Sequence, residues 1–188
     1  YLPEAGSPGP GRGGTGRVAR FAETDHYRPL RAGLAAVAGI LEEAGHRAEV
    51  LADDNRLMDR AAAVRAGVGW WGRNTLVLAP RHGPWLLLGS VATDAGLPVD
   101  DPMRRDCGTC TACLPACPTG ALHDGVLDAR FCLAHHLQAP GPIPAELREA
   151  VGDRVYGCDD CLEVCPPGSR ALAAAGETRG RVDLLGLL

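Results

Sequence analysis

Eight cysteines are the residues of this chain best suited to chemistry, and their spacing divides them into two groups. The first group follows the pattern C-x2-C-x2-C-x3-C-P and comprises Cys107, Cys110, Cys113 and Cys117. The second group repeats the C-x2-C-x3-C-P part and comprises Cys158, Cys161 and Cys165, with Cys132 displaced upstream by an insertion, residues 133–157. Thiols this close in sequence can surround a compact inorganic core, and the first pattern is typical of proteins that hold [4Fe–4S] clusters.

The number of cysteines favours two clusters with four ligands each. Zinc sites more often use two C-x2-C pairs separated by a dozen or more residues, and disulfides are rare in a reducing cytosol, so both are weaker alternatives. In two-cluster proteins the fourth cysteine of such a run binds the other cluster. This rule predicts one ligand set of Cys107, Cys110, Cys113 and Cys165. It predicts a second set of Cys117, Cys132, Cys158 and Cys161.

Composition excludes some classes of function. The net charge is −4, so the chain as a whole is not a basic nucleic-acid-binding protein, and no apolar run is long enough to span a bilayer. All 19 basic residues are arginine, which binds phosphate in a bidentate manner and leaves a local RNA-binding face open. Because the first residue is Tyr1, we expect the chain to be a piece of a protein that lacks its upstream lobe. No signal peptide is visible, so we expect a cytoplasmic protein, and we expect it to be a monomer.

Periodicity in the first hundred residues predicts alternating helices and strands. We expect a loop over 1–16, helices over 26–44 and 57–66, and strands over 46–52, 75–79 and 84–93, the last two joined by a hairpin-like turn. Asp25 is the expected cap of the first helix, which has Leu30, Leu34, Val37 and Leu41 on its apolar face. The predicted fold class is α+β, with an α/β lobe over 1–100, a ferredoxin-like double-cluster domain over 101–170 and a tail over 171–188.

Several further motifs carry a resemblance to one family. They are AGVGWWGRNTLVL (66–78), GPWLLLGSVATD (83–94), LDARFC, GPIP and YGCDDCLEVCP, in this order around the first cysteine group. In this combination the chain resembles the epoxyqueuosine reductases over roughly residues 17–167. The resemblance implies that the α/β part is a partial cobalamin-binding lobe. It also implies two [4Fe–4S] clusters, a cobalamin held as in the reductive dehalogenases, and an external low-potential electron donor. No association with a membrane is expected. The implied reaction reduces the epoxide of epoxyqueuosine in tRNA to queuosine.

The resemblance also implies site residues. Asp53 matches the family's acid at the end of a strand, although on sequence alone a cap of the following helix is the better interpretation of Asp53, Asp54 and Asn55. Trp70 and Trp71 are more often core residues than stacking platforms. The implied corrinoid contacts are Gly72, Asn74, Thr75, Ala134, Asp159 and Asp160.

Three other functions remain open from the sequence. The chain could be a ferredoxin-type electron-transfer protein, a reductive dehalogenase-like enzyme acting on small molecules, or a structural zinc protein. Iron, zinc and corrinoid content distinguish these possibilities.

Overall fold

The fold combines short strands and helices, and the structure, a computed structural model, describes residues 14–175 and 181–183. The strands are β1 (Thr15–Val18), β2 (Ala48–Leu51), β3 (Trp70–Trp71), β4 (Val77–Leu78), β5 (Ser90–Thr93), β6 (Leu122–His123), β7 (Val126–Leu127), β8 (Arg154–Tyr156) and β9 (Arg181–Asp183). The α-helices are α1 (Tyr27–Glu43), α2 (Asp59–Arg65), α3 (Cys113–Ala116), α4 (Leu133–His136), α5 (Arg148–Val151), α6 (Asp160–Glu163) and α7 (Pro166–Ala175). Most of the predicted 1–16 loop, and the tail beyond 175 except β9, lie outside the described residues. No helix in the described ranges is long and apolar enough to cross a membrane.

Helix α1 confirms the prediction for residues 26–44. The Asp25 carboxylate accepts a hydrogen bond from the Arg28 amide at 3.0 Å, and Gly45 ends the helix at a φ of 85°, a conformation that favours glycine. Val37, which we expected on the covered face, is 49% exposed, whereas Ala38 is buried. The expectation fails because α1 packs on only two strands, β2 and β5, which cover a narrow stripe of the helix.

The predicted hairpin between residues 75–79 and 84–93 is wrong. Strand β4 instead pairs antiparallel with β3, and β5 pairs antiparallel with β2. Close approach explains the first pairing, because a Cβ added to Gly69 would lie 2.3 Å from the carbonyl oxygen of Leu78. A single bridge between Ala79 and Gly83 is all that remains of the expected turn.

Helix α2 begins two residues later than predicted. Its first residue is Asp59, and no side chain caps its N-terminus. Asp54, an expected cap, instead accepts hydrogen bonds from the backbone amide and guanidinium of Arg56 in a local turn. The cap interpretation of this acidic stretch is therefore wrong.

The first and last parts of the chain share a sheet. Strand β1 lies between β8, which runs parallel to it, and β9, which runs antiparallel. An ion pair between Arg17 and Asp153 accompanies the parallel pairing. The predicted division at residue 100 stays a prediction, but these strands connect its two parts.

Candidate metal and cofactor site

The first thiol group includes a cysteine that is distant in sequence. Cys165 is 8% exposed and packs with Trp70 and Leu78, with Cys107 lying against the same small core. The short helix α3 starts at Cys113 and follows the turn that carries Cys110. Burial is the main cause of the raised pKa of Cys165, and the three cysteines that open the first motif lie near enough for their thiolate charges to raise it further, so these four thiols are neighbours.

The second thiol group assembles around Cys161. This thiol interacts electrostatically with Cys158, with Cys117 from the first motif and with Cys132 from the middle of the chain. It also interacts with Cys113, and helix α3 contacts helix α6, so the two groups are neighbours. All eight cysteines are free thiols.

The surroundings of the thiols fit a metal-sulfur cluster. Backbone amides donate to sulfur, from Arg73 to Cys107 at 3.4 Å and from Ala121 to Cys117 at 3.2 Å. Burial raises the pKa of Cys158, and likewise that of Cys165, to about 11, so without a bound metal both thiols are protonated at neutral pH. Among the described residues, no group of three His, Cys, Asp or Glu side chains is placed to hold a single metal ion.

A cavity of about 570 Å³ opens beside the end of β2. Asp53 lines it and has a φ of 57°, which is uncommon for a residue other than glycine and is a frequent feature of functional sites. The Asp53 carboxylate makes no hydrogen bond or ion pair to any residue that the structure describes. It is therefore free to face a bound molecule, unlike its neighbour Asp54.

Four further ionisable side chains, those of Tyr27, Asp54, Asp59 and Arg60, share this cavity with Asp53, and two of them have raised pKa values. Tyr27, from the first turn of α1, has a raised pKa because of burial and the nearby Asp53 carboxylate. Burial, followed by the Asp53 and Asp54 charges, raises the pKa of Asp59, and its Oδ1 atom is buried with no partner in the described part of the chain. Sequence reasoning missed both residues. The available signals were the position of Tyr27 directly after Asp25-His26 and the spacing of Asp59 from Asp53 within one acidic stretch.

A second cavity of about 400 Å³ lies next to the first and is lined in part by Cys107. Trp71, Thr75 and Gly125 line both cavities, and the second one reaches Cys107 and Gly108. Trp71 is 45% exposed, whereas Trp70 is buried, so the core interpretation holds for Trp70 alone. The shared lining places the two cavities side by side, with Asp53 in one and Cys107 in the other.

The other predicted corrinoid contacts occupy different surroundings. Gly72 lines the second cavity, whereas Asn74 is 4% exposed and donates to the Cys161 carbonyl oxygen at 3.4 Å. Asp159 is buried and accepts a hydrogen bond from the Arg20 amide at 2.7 Å, and Asp160 pairs with Arg154. These two carboxylates, Asn74 and Ala134 line neither cavity, and their contact with a corrinoid stays a prediction.

Comparison with known proteins gives four findings, one from a family model, one from a relative and two from solved structures. Residues 106–168 match the family described as "4Fe-4S double cluster binding domain". The chain is 46% identical to an epoxyqueuosine reductase of Vibrio cholerae over 116 residues, which are 61% of this chain and 31% of that protein. A crystal structure of epoxyqueuosine reductase with a tRNA-Tyr epoxyqueuosine-modified stem loop has a TM-score of 0.78 and 36% identity, covering 82% of this chain and 42% of that one.

A Bacillus subtilis epoxyqueuosine reductase, solved with its aspartate-bearing catalytic loop swung out of the active site, has a TM-score of 0.76 and 35% identity. The aligned region covers 82% of this chain and 42% of the Bacillus subtilis chain. The resemblance found from the motifs is confirmed. The chain spans less than half of the length of these relatives.

Proposed function

We propose that this chain forms the cluster-bearing part of an oxidoreductase that reduces the epoxide of epoxyqueuosine in tRNA to queuosine. One observation carries the proposal: two neighbouring cavities share part of their lining, one with the Asp53 carboxylate, which has no partner among the described residues, and the other with Cys107 of the first thiol group. Removing an epoxide oxygen needs two electrons and an acid. A cluster bound by the first thiol group would supply the electrons, and Asp53 would supply the acid.

The two thiol groups are the proposed ligands of two [4Fe–4S] clusters. One set is Cys107, Cys110, Cys113 and Cys165, and the other is Cys117, Cys132, Cys158 and Cys161. The electrostatic neighbours of Cys165 and Cys161 support this crossed pairing, as does the match to the double-cluster family. Because each cluster passes one electron at a time, two adjacent clusters can relay the pair that the reaction consumes.

The cavity is the proposed cobalamin site. Its rim presents exposed apolar side chains, including Met58 and Trp71, and its wall holds the unpartnered Oδ1 atom of Asp59. A corrinoid offers a broad apolar face and peripheral amide groups that donate hydrogen bonds, so the lining fits this cofactor. When bound, the cobalamin would supply a low-valent cobalt able to attack an epoxide carbon. Gly72 and Thr75 would border it on the side of the first cluster.

Asp53 is the proposed acid that protonates the departing oxygen. Its backbone conformation holds the carboxyl at the cavity, where no guanidinium from the described part of the chain is bound to it, whereas Arg56 holds the Asp54 carboxylate. Tyr27 lines the same cavity, and burial followed by the Asp53 charge raises the pKa of its hydroxyl. We place the reaction in the cytoplasm, with tRNA as the macromolecular substrate and an external low-potential donor supplying electrons.

Asp53→Asn in the complete gene product tests the assignment. We expect about a 100-fold or larger loss of turnover on epoxyqueuosine-containing tRNA, with iron and corrinoid contents unchanged, because only the transferable proton is removed. Asp100→Asn, at an exposed linker carboxylate, is the matched control and should keep normal turnover. Normal turnover in Asp53→Asn would remove the residue from this role.

Metal and cofactor analysis separates the proposal from its alternatives. Zinc without iron in anaerobically reconstituted protein would refute the redox function. Two clusters without corrinoid binding by the complete gene product would favour a ferredoxin-type electron-transfer protein. Turnover of organohalides but not of modified tRNA would favour a dehalogenase-like enzyme.

A further inference from the structure

We propose that Arg60 is a positioning residue for the cofactor, because it anchors a strained loop that lines both cavities. The loop, residues 72–76, joins β3 to β4 and contains Thr75, which borders the two cavities. The inference rests on the proposed function in one respect, since it takes these cavities as the cobalamin site. Arg60 acts through the loop and needs no contact of its own with the reacting atoms.

The backbone of Thr75 adopts a conformation that its side chain disfavours. Its φ is 65°, in the left-handed region, where a β-branched residue is an outlier. Two hydrogen bonds form the turn around it: the Thr75 amide donates to the Gly72 carbonyl oxygen at 2.9 Å, and the Gly72 amide donates to the Leu76 carbonyl oxygen at 2.8 Å. Strained backbone of this kind persists only where the surrounding structure holds it in place, and it is frequent at ligand-binding sites.

Arg60 supplies an anchor for this strained residue from another element. Its Nη1 atom donates a hydrogen bond to the carbonyl oxygen of Thr75 at 2.8 Å. Arg60 lies in helix α2, directly after Asp59, and it lines the first cavity together with Asp53 and Thr75. The hydrogen bond therefore ties the helix on the acidic side of the first cavity to the loop that also lines the second.

A second anchor holds the same loop to the cluster-binding part of the chain. Asn74 is 4% exposed, and its side-chain amide donates to the Cys161 carbonyl oxygen at 3.4 Å and accepts from the Leu76 amide at 3.3 Å. These contacts do not involve Arg60. Loss of the Arg60 hydrogen bond should therefore release Thr75 locally and leave the cluster ligands in place.

The consequence for a bound cofactor follows from preorganisation. A loop that is already held in its binding conformation loses less conformational entropy when a ligand binds. Without Arg60, Thr75 would relax toward a negative φ, and the lining that the two cavities share would change shape. The cofactor would then have to restore the strained conformation on binding, so its affinity would fall.

Arg60→Met in the complete gene product tests the anchor, because methionine is a good helix former without a hydrogen-bond donor. Without cobalamin, amide hydrogen exchange in residues 72–76 should be about fivefold faster, the size expected from one net hydrogen bond, whereas exchange in α1 should stay unchanged. Hydroxocobalamin, added to the anaerobically reconstituted protein and followed by its absorbance, should bind with a Kd that is about fivefold higher. The iron content should stay unchanged.

Two further variants separate anchoring from a general effect on stability. Arg60→Lys keeps one donor, which is all that a single carbonyl oxygen needs, and should restore most of the affinity. Thr75→Asn keeps the carbonyl acceptor but adopts a positive φ more readily, whatever its own Kd. In that background Arg60→Met should raise the Kd by about twofold or less, because less strain depends on the anchor.

Arg65→Met is the matched control, because Arg65 is exposed in the same helix and lines neither cavity. It should leave both the loop exchange and the Kd unchanged. Unchanged exchange of residues 72–76 in Arg60→Met would overturn the inference, as would an unchanged Kd. Should Arg60→Met not fold, Arg60→Ala is held to the same outcomes. A wild-type protein that binds no hydroxocobalamin refutes the proposed function, and the exchange measurement then still decides whether Arg60 anchors the loop.

Discussion

The two thiol groups share their spacing but differ in their surroundings. The first group reaches the cavity through Cys107 and includes Cys110, which is exposed. The second group has no exposed cysteine, and it lies beside the insertion that contributes Arg154. The cysteine motif determines which thiols lie together, whereas the helices, strands and loops around it determine the environment of those thiols. In the proposed enzyme the first cluster is therefore the one that lies beside the cofactor site.

The largest expected effect tests whether each cluster takes ligands from both cysteine motifs. Cys107→Ser and Cys165→Ser should each remove about half of the iron, and the double variant should lose no more than either single variant, because both residues serve one cluster. Cys107→Ser combined with Cys161→Ser should remove nearly all of it. Iron and sulfide analysis after anaerobic reconstitution measures this. If the Cys107/Cys165 double variant lost both clusters, the crossed assignment would be wrong.

A smaller effect concerns the close contact between Gly83 and Gly168, which lies near Cys165 of the first thiol group. A Cβ added to Gly83 would lie 2.4 Å from the amide nitrogen of Gly168, three residues after Cys165, and Gly83 has a φ of 59°. Gly83→Ala should therefore destabilise the fold by about 1–3 kcal/mol, measured by urea unfolding. The first cluster should also be lost faster than the second under oxygen.

Gly96→Ala is the control for this substitution, since nothing lies within 4 Å of its added Cβ. It should leave the unfolding midpoint nearly unchanged. Equal loss of both clusters in Gly83→Ala would show that the contact supports the whole cluster region and not one group.

The smallest effect concerns the cavity wall. The raised pKa of Asp59 means that its charged form is disfavoured in the folded state. This lowers the free energy of unfolding by its full amount above the folded pKa, and not at all below the unfolded pKa of about 3.9. Asp59→Asn should therefore raise the free energy of unfolding at pH 7 by up to about 0.5 kcal/mol. The gain should vanish at pH 3. A gain of the same size at both pH values would exclude charge burial as its cause.

The sequence predicted the elements that depend on local patterns. Helix α1 followed from its apolar repeat, from the carboxylate of Asp25 and from Gly45, each of which acts within one or two turns. The meeting of Cys165 with Cys107 followed from a general rule about such motifs. Asp53 came from the family resemblance, and its position at the cavity agrees with the proposed role.

What the sequence could not give depends on long-range packing. Trp70 and Trp71 pair with β4 and not with a distant strand because Gly69 and Leu78 approach closely, and spacing alone does not reveal that approach. The burial of the Asp59 Oδ1 atom arises only when distant elements come together. Asp59 belongs to no pattern that periodicity or spacing would single out.

The hairpin formed by β6 and β7 connects the second thiol group to the lining of the cavities. It lies between Cys117 and Cys132, the two proposed ligands that tether its ends to one cluster, and its Gly125 borders both cavities. The Gly125 amide also donates to the Arg73 carbonyl oxygen at 3.1 Å, which closes the hairpin onto the glycine–tryptophan loop. In the proposed enzyme, a cluster bound by Cys117 and Cys132 would therefore hold both ends of this hairpin and, through Gly125, part of the lining that the two cavities share.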